Sequence, residues 1–453
     1  MTSLLKQSSI AVCLRGFSAT ELEKASKFLS SRGHRVVRSL NAAQCMVTGP
    51  DAENCLLESS RAQGLEVVRW SVIEESIRDA GMLSAMTAVD DVPLAEEAVH
   101  PLLKMEDGSR RLLDTPLPEQ TTSRSEDGKY VPQAERFAGL CFDQPFVETL
   151  HAVLTGTCHA MPVALEGETA ASKTTAVLYL AHLLNQPVIR LNLNGQTDAG
   201  ELVGRFIPSD HGWQLQEGSL PVAMRRGYWL LLDEMNLAEP QVLERLNCAI
   251  ESTPTLVLSE GHGTVFGPGG DVEVSENFRL LATLNPAEYS GRSVLSPAFR
   301  NRWLIWHQAQ AADEAAILAM LRTLVIGEQP LVCWKGKSYQ ADAVNPLFPQ
   351  LQEMPEMESV LARFAMFHTT VAKAAGAPGT TPGLARQRRE RHTFTRRNLI
   401  ATLQLCSSPS ATSASGNLRR ALSDSIQQIY LNRYPDAADR KAILSHLRAA
   451  DLA

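Results

Sequence analysis

The 453-residue chain has eight scattered cysteines but no Cys-x-x-Cys pair and no histidine cluster, so neither a zinc site nor a disulfide framework is signalled. Single thiols suit a reducing compartment. No apolar run reaches membrane-spanning length, and the opening Met1-Thr2-Ser3-Leu4-Leu5-Lys6-Gln7 lacks the apolar core of a secretory signal. A basic excess is missing as well: 43 Lys and Arg face 50 Asp and Glu, for a net charge of −7, which argues against a constitutive nucleic-acid coat. No internal repeat is visible. The expectation is a soluble intracellular protein, nuclear in the first instance and otherwise cytoplasmic, not secreted and without a membrane partner. Its length allows roughly three domains.

Against these absences stands one stretch rich in chemistry. The apolar run Pro162-Val163-Ala164-Leu165 ends in Gly167-Glu168-Thr169-Ala170-Ala171-Ser172-Lys173-Thr174-Thr175, the layout of a strand feeding a phosphate-binding loop at a helix start. Backbone N–H groups of such a loop curl round the β- and γ-phosphates of ATP, Lys173 neutralises them, and the Thr174 hydroxyl holds Mg²⁺. Ser172 stands where the pattern wants a second glycine. About sixty residues on, the apolar run Tyr228 to Leu232 ends in Asp233-Glu234, where Asp233 can hold the Mg²⁺ shell and Glu234 can polarise a water. A third run, Phe278 to Leu284, delivers Asn285 at its end. Together these predict an α/β nucleotide-binding core of parallel strands and helices.

Several stretches resemble the AAA+ ATPases of the dynein-related and midasin branch, with MoxR-type proteins and methyl-directed restriction GTPases as cousins. They are Leu191-Asn192-Leu193-Asn194 with Glu201-Leu202-Val203-Gly204-Arg205, then Leu232-Asp233-Glu234-Met235-Asn236-Leu237-Ala238, and Thr283-Leu284-Asn285-Pro286 continuing to Gly291-Arg292. The likeness spans about Gly139 to Arg397. It implies an AAA+ P-loop core over residues 136–307, a helical lid over 308–453, and an ATPase that works as a ring. In that family pattern Asn285 is sensor 1, Arg302 is the arginine finger offered to a neighbour, with Arg300 its runner-up, and Arg397 is sensor 2, with Arg396 one residue out of phase. One phosphate loop per chain implies a homo-oligomeric ring, a hexamer, or a place in a larger AAA+ assembly. The client would be a protein or ribonucleoprotein complex: a ribosome-assembly particle by likeness to midasin, a protein awaiting cofactor or complex assembly by likeness to MoxR-type proteins.

Residues 8–80 read as a small module of order β-α-β-β-α-β-α, with strands near Ile10, Arg35, Cys45 and Glu66 and helices over 19–32, 52–63 and 72–78. Leu14-Arg15-Gly16-Phe17, Gly33-His34-Arg35-Val36 and Gly64-Leu65-Glu66-Val67-Val68 resemble the BRCT fold. Arg15 stands where phosphopeptide-binding members carry a hydroxyl, and Asn54 or Cys55 where they carry a lysine. The likeness therefore implies a domain that binds protein or dimerises, without a phosphate pocket. Residues 81–135 alternate acidic pairs with Pro, Ser and Arg and read as a solvated tether.

Within the core, Arg205-Phe206-Ile207-Pro208 and Gly212-Trp213-Gln214-Leu215 are expected to form a hairpin whose Trp213 either touches a substrate or packs on its own domain. Ser259 to Gly270 reads as a mobile loop, with His211 and His262 on the surface. The basic run 386–391 has no interleaved aromatics for base stacking and reads as a solvated approach to a helix. Two other readings stay open: a nucleotide-regulated scaffold in which Ser172 blunts turnover, and a GTP-driven nucleic-acid translocase like the restriction cousins.

Overall fold

The structure is a computed structural model that describes residues 11–15, 35–37, 45–48, 66–69, 98–105, 108–121, 126–169, 171–209, 212–259, 263–286, 294–376, 394–408 and 418–452. The helices expected in 19–78, the basic run 386–391, Ala170, His211, His262 and Gly291-Arg292 lie outside the described residues. The chain divides into two compact units, Met1–Pro101 with Leu331–Ala341, and Leu102–Pro330 with Asp342–Ala453.

In the first unit, β1 (Ala11–Arg15), β2 (Arg35–Val37), β3 (Cys45–Thr48) and β4 (Glu66–Arg69) form one parallel sheet in the order β2-β1-β3-β4. Parallel neighbours cannot be joined by tight hairpins, so each pair requires a crossover. Val47 at its centre is fully buried. The same unit contains an antiparallel hairpin, Leu331–Trp334 with Lys337–Gln340. Its two-residue turn, Lys335-Gly336, has φ of 48° and 78°, the backbone that matches strand twist in a tight hairpin. The backbone of Val99 bonds to Ser338 and Gln340, each at 3.0 Å. This hairpin interrupts the helical lid expected over 308–453: Val332 and Tyr339 face each other across the ladder and are both buried, so period-two burial wins locally over the helical pattern on either side.

The second unit opens with a further correction. Where a tether was expected, β5 (Leu102–Lys104), β6 (Arg110–Leu112) and β7 (Thr115–Pro116) form a three-stranded antiparallel sheet. Leu112 and Leu113 are buried, and the Arg110 guanidinium donates to the Leu183 carbonyl at 2.7 Å. A few leucines and side-chain bonds to a neighbouring helix end hold the segment; no sustained period in the sequence announces them.

From there the chain alternates. Helix α1 (Gln144–Cys158) leads into β8 (Val163–Gly167), α2 (Lys173–Leu183), β9 (Val188–Asn192) and the short α3 (Ala199–Leu202). The hairpin β10 (Gly204–Ser209) with β11 (Gly212–Glu217) precedes α4 (Ser219–Arg226) and β12 (Trp229–Asp233). Then come α5 (Pro240–Glu244), a hairpin of β13 (Leu256–Leu258) and β14 (Thr264–Phe266), β15 (Arg279–Leu284), α6 (Pro297–Arg302) and β16 (Ile305–Ala309). The second hairpin stands where a mobile loop was expected. Its inward Leu256, Leu258 and Phe266 are buried while Val257 and Val265 are exposed, the period-two pattern of a half-buried strand pair.

Five strands make one parallel sheet in the order β16-β8-β15-β12-β9. All five residues of β12 are buried, because helices cover a parallel sheet on both faces. Beyond β16, helices α7 (Glu314–Val325), α8 (Met357–Gly376), α9 (Arg396–Cys406), α10 (Leu418–Ile426) and α11 (Ala437–Ala449) pack round Leu321, Phe364, Leu399 and Tyr430, all fully buried. Among the described residues, no helix is long and apolar enough to cross a membrane.

Candidate functional site

Strand order decides which side chains can meet. β8, β15 and β12 are consecutive in the sheet and parallel, so the residues following each strand emerge at one edge: Gly167 and its loop, Asn285, and Asp233 with Glu234. Ligands of open α/β sheets bind at this carboxyl edge. A cavity of about 320 Å³ opens there, lined by the loop residues Thr169, Ala171, Ser172, Lys173, Thr174 and Thr175 and by Asp233, Glu234, Thr283 and Asn285.

The loop turns into α2 at Ser172, whose backbone is left-handed (φ 58°, ψ 14°). That conformation costs a residue with a Cβ about 1 kcal/mol, which explains why glycine is the usual occupant. The serine brings a contact that glycine could not make: its Oγ accepts from Arg396 at 3.0 Å. Arg396 also pairs with Asp143, the N-cap of α1. Burial raises the Asp143 carboxyl pKa despite that arginine.

Lys173, at the start of α2, donates to the carbonyls of Gly167 and Glu168, both at 2.7 Å, and to Asn285 Oδ1 at 3.0 Å. The Asn285 amide in turn donates to both carboxylate oxygens of Glu234 at 2.7 Å. Glu234 follows β12 in a left-handed backbone (φ 57°, ψ 42°), its N–H held by Thr283 Oγ1 at 3.3 Å. Strain of this kind persists where surrounding structure over-determines it.

Asp233 is 5% exposed and carries a full set of donors. Its Oδ1 accepts from Thr174 Oγ1 at 3.0 Å and from Thr283 Oγ1, and its Oδ2 accepts from Arg190 Nε at 2.8 Å and from the Arg190 terminal nitrogen. Burial pushes the carboxyl pKa up, but the bonds from Thr283 and Arg190, the Arg190 charge and the Thr174 hydroxyl outweigh it and leave the group below its ordinary value.

These residues fit a magnesium-bound nucleoside triphosphate. A hydroxyl and a carboxylate sit together, 3.0 Å apart, as hard oxygen donors. A lysine and the first turn of α2 face the same cavity, and Arg396, on its wall, has a buried Nε with no hydrogen-bond partner among the described residues. Buried polar atoms are seldom left so.

The arginines expected elsewhere divide. Arg397 lines the cavity and is exposed, while Arg396, expected one residue out of phase, also lines it and is the one bonded to the loop. Arg302 does not line the cavity; it pairs with Glu251 at 2.9 Å and bonds the Ala298 carbonyl at 3.0 Å. Arg300 pairs with Glu166 at 3.3 Å and lies over the Trp306 ring at 4.2 Å. Trp213, near the tip of the β10–β11 hairpin, is 74% exposed.

Sequence reasoning missed four parts of this site: Arg190, Thr283, Asp143, and the apolar wall of Phe137, Leu140, Met320, Leu324 and Leu347. A charge inside the apolar strand Val188–Asn192 was the one visible signal, and it pointed to no partner.

The arrangement is the AAA+ P-loop NTPase fold: a parallel five-stranded sheet with helices on its faces and a helical lid over the loop. The family model of the AAA domain (dynein-related subfamily) matches residues 162–303. Over 148 residues, 32% of this chain, the sequence is 42% identical to midasin of Dictyostelium discoideum, of which it covers 2%. It is 33% identical over 157 residues, 34% of this chain, to midasin of Giardia intestinalis, of which it covers 3%. It is also 29% identical over 204 residues, 43% of this chain, to the aerobic cobaltochelatase subunit CobS of a Sinorhizobium species, of which it covers 57%. The chain thus spans a few hundredths of the midasins and a little over half of the shorter relative.

Proposed function

We propose that this protein is an ATPase that couples ATP hydrolysis to the remodelling or assembly of a protein or ribonucleoprotein complex. One observation carries the reading: three adjacent strand ends present Lys173, Asn285 and the Asp233-Glu234 pair to one cavity, joined by hydrogen bonds of 2.7 to 3.0 Å. Thr174 and Asp233 would hold Mg²⁺, which when bound supplies positive charge to phosphate oxygens. Lys173 neutralises the β- and γ-phosphates, and Glu234 accepts a proton from the attacking water as Asn285 orients it. Lys173 and Asn285 are now engaged with the loop and with Glu234, so binding of the triphosphate must exchange those bonds for bonds to phosphate.

Arg302 is not among the residues that line its own cavity and is read as the arginine supplied to a neighbouring subunit, which ties turnover to assembly into a homo-oligomeric ring, a hexamer. Arg396 and Arg397 would carry the nucleotide state into the lid. The exposed Trp213 and Phe206 on the hairpin would meet the client, and the amino-terminal unit, whose parallel order β2-β1-β3-β4 suits a BRCT-like domain, would bind protein. The likeness to midasin, as read from the sequence, favours a ribosome-assembly particle as client, and the name cobaltochelatase subunit favours a protein awaiting its cofactor.

Steady-state phosphate release and native mass with ATP test the reading. Glu234→Gln is expected to bind ATP, to stop turnover and to shift the chain from monomer to hexamer. Arg302→Ala is expected to lower turnover about a thousandfold with nucleotide binding unchanged. Wild-type protein that binds ATP without releasing phosphate would instead support a nucleotide-regulated scaffold.

A further inference from the structure

Asp233 leaves little room for a metal. An ionised carboxylate offers about four lone-pair positions, and all are engaged: two hydroxyls, from Thr174 and Thr283, stand on Oδ1, and two nitrogens of Arg190 stand on Oδ2. The two kinds of donor differ in what they do to an arriving cation. A threonine hydroxyl can turn its proton away and present a lone pair to the metal. A guanidinium has no lone pair to offer and carries a fixed positive charge.

Arg190 comes from β9, the sheet edge beyond β12, where Leu231 and Arg190 are register partners. From there its side chain reaches forward to a carboxylate two residues along the neighbouring strand. The arginine side chain is 44% exposed while that of Asp233 is 7% exposed. The charge is therefore partly screened by water but held against a buried oxygen.

We propose that Arg190 is the resident counter-cation of Asp233 and sets when the metal position can fill: it keeps free divalent cations off the carboxylate until a triphosphate brings compensating negative charge. The inference rests on the reading of Thr174 and Asp233 as a metal position. With Arg190 in place, a free dication meets a carboxylate already neutralised and a neighbouring positive charge that repels it. Phosphate oxygens reverse that balance, so metal and nucleotide enter together. Arg190 acts through Asp233 and is a positioning residue.

The test is Mn²⁺ uptake by the full chain, followed by the electron paramagnetic resonance of free Mn²⁺, with and without a non-hydrolysable ATP analogue. Without nucleotide, Arg190→Gln is expected to bind Mn²⁺ about tenfold or more tightly than wild type. With the analogue the gap narrows. Arg190→Lys, which keeps the charge, stays close to wild type. Arg190→Met, which keeps the stem and drops the charge, should behave as Arg190→Gln and serves if that variant folds poorly, as judged by thermal melting. Nucleotide-free Mn²⁺ affinity in both neutral variants at or below the wild-type value would overturn the proposal. A wild-type chain that binds the analogue but takes up no Mn²⁺ with it would overturn the metal reading beneath it, a result the first failure cannot mimic.

Discussion

The carboxyl edge of the parallel sheet and the two hairpins beside it are made of similar short strands, yet they spend their side chains in opposite ways. At the sheet edge, polar groups are buried and paired: Lys173, Asp233 and Asn285 are between 2% and 7% exposed. On the hairpins, apolar groups stand in water: Trp213 is 74% exposed, Val257 55% and Phe206 44%. Buried polar atoms cost free energy unless bonded, so the sheet edge is stable only as a complete network. Exposed apolar atoms contribute little to folding, so the hairpin faces are free to serve a partner. One region is constrained by the fold, the other only supported by it.

The comparison breaks most sharply on the network itself. Replacing Asn285 by Ala removes the link between Lys173 and Glu234, and turnover is expected to fall on the order of a hundredfold or more, read as phosphate release at saturating ATP. Nearly as large is a packing effect at the centre of the same sheet: Leu231→Ala should cost about 2 to 5 kcal/mol, because Leu231 is fully buried on β12. Denaturant titration checks it.

A third test concerns the lid. His368 is 4% exposed, its Nδ1 is 2.7 Å from the Tyr430 hydroxyl, and burial, with the Arg396 charge adding to it, lowers its pKa to about 4. The unfolded chain takes up this proton near pH 6.5 and the folded chain only near pH 4. Stability should therefore be full above pH 6.5 and decline by about 3 kcal/mol as the pH falls towards 4. His368→Gln should flatten that part of a melting-against-pH curve; an unchanged slope would assign the acid sensitivity elsewhere.

Smaller effects follow at the loop and the hairpin. Ser172→Gly relieves a left-handed backbone worth about 1 kcal/mol but removes the Oγ that accepts from Arg396, so stability should change by less than that figure while the loop loses its tie to α9. Trp213→Ala should leave stability within about 0.5 kcal/mol, as its exposure requires, and a client-binding assay, once a client is in hand, is where its loss should register. A large drop in melting temperature for Trp213→Ala would mean that the hairpin is structural after all, and the contrast between the two regions would disappear.

Much of the core could be read from residues alone. Strands at Val163, Trp229 and Arg279 were visible as apolar runs because a strand covered on both faces has no polar side to interrupt it, and the edge strand at Val188 was visible from its apolar Val188, Ile189 and Leu191. The loop before Lys173 and the acid pair after Leu232 were visible because phosphate chemistry demands those residue types in that spacing. The antiparallel sheet at 102–116 was hidden: its strands are two or three residues long, too short for any period, and its stability comes from Leu112, Leu113 and the bond from Arg110 to a distant helix end. The choice between Arg396 and Arg397 was hidden for a related reason. Both start α9, and only the packing of that helix over Ser172 separates the residue that bonds the loop from its exposed neighbour.

Sequence by itself determined which atoms the site can use, since a phosphate loop, an acid pair and a polar strand end are local patterns that the chain carries wherever it folds. The tertiary structure decided what each of them touches: that β15 lies between β8 and β12, that Asn285 bridges Lys173 to Glu234, and that Arg190 crosses from the next strand to Asp233. The physical reason is that adjacency in a parallel sheet is set by crossovers between segments far apart in the chain, and residue spacing holds no record of it.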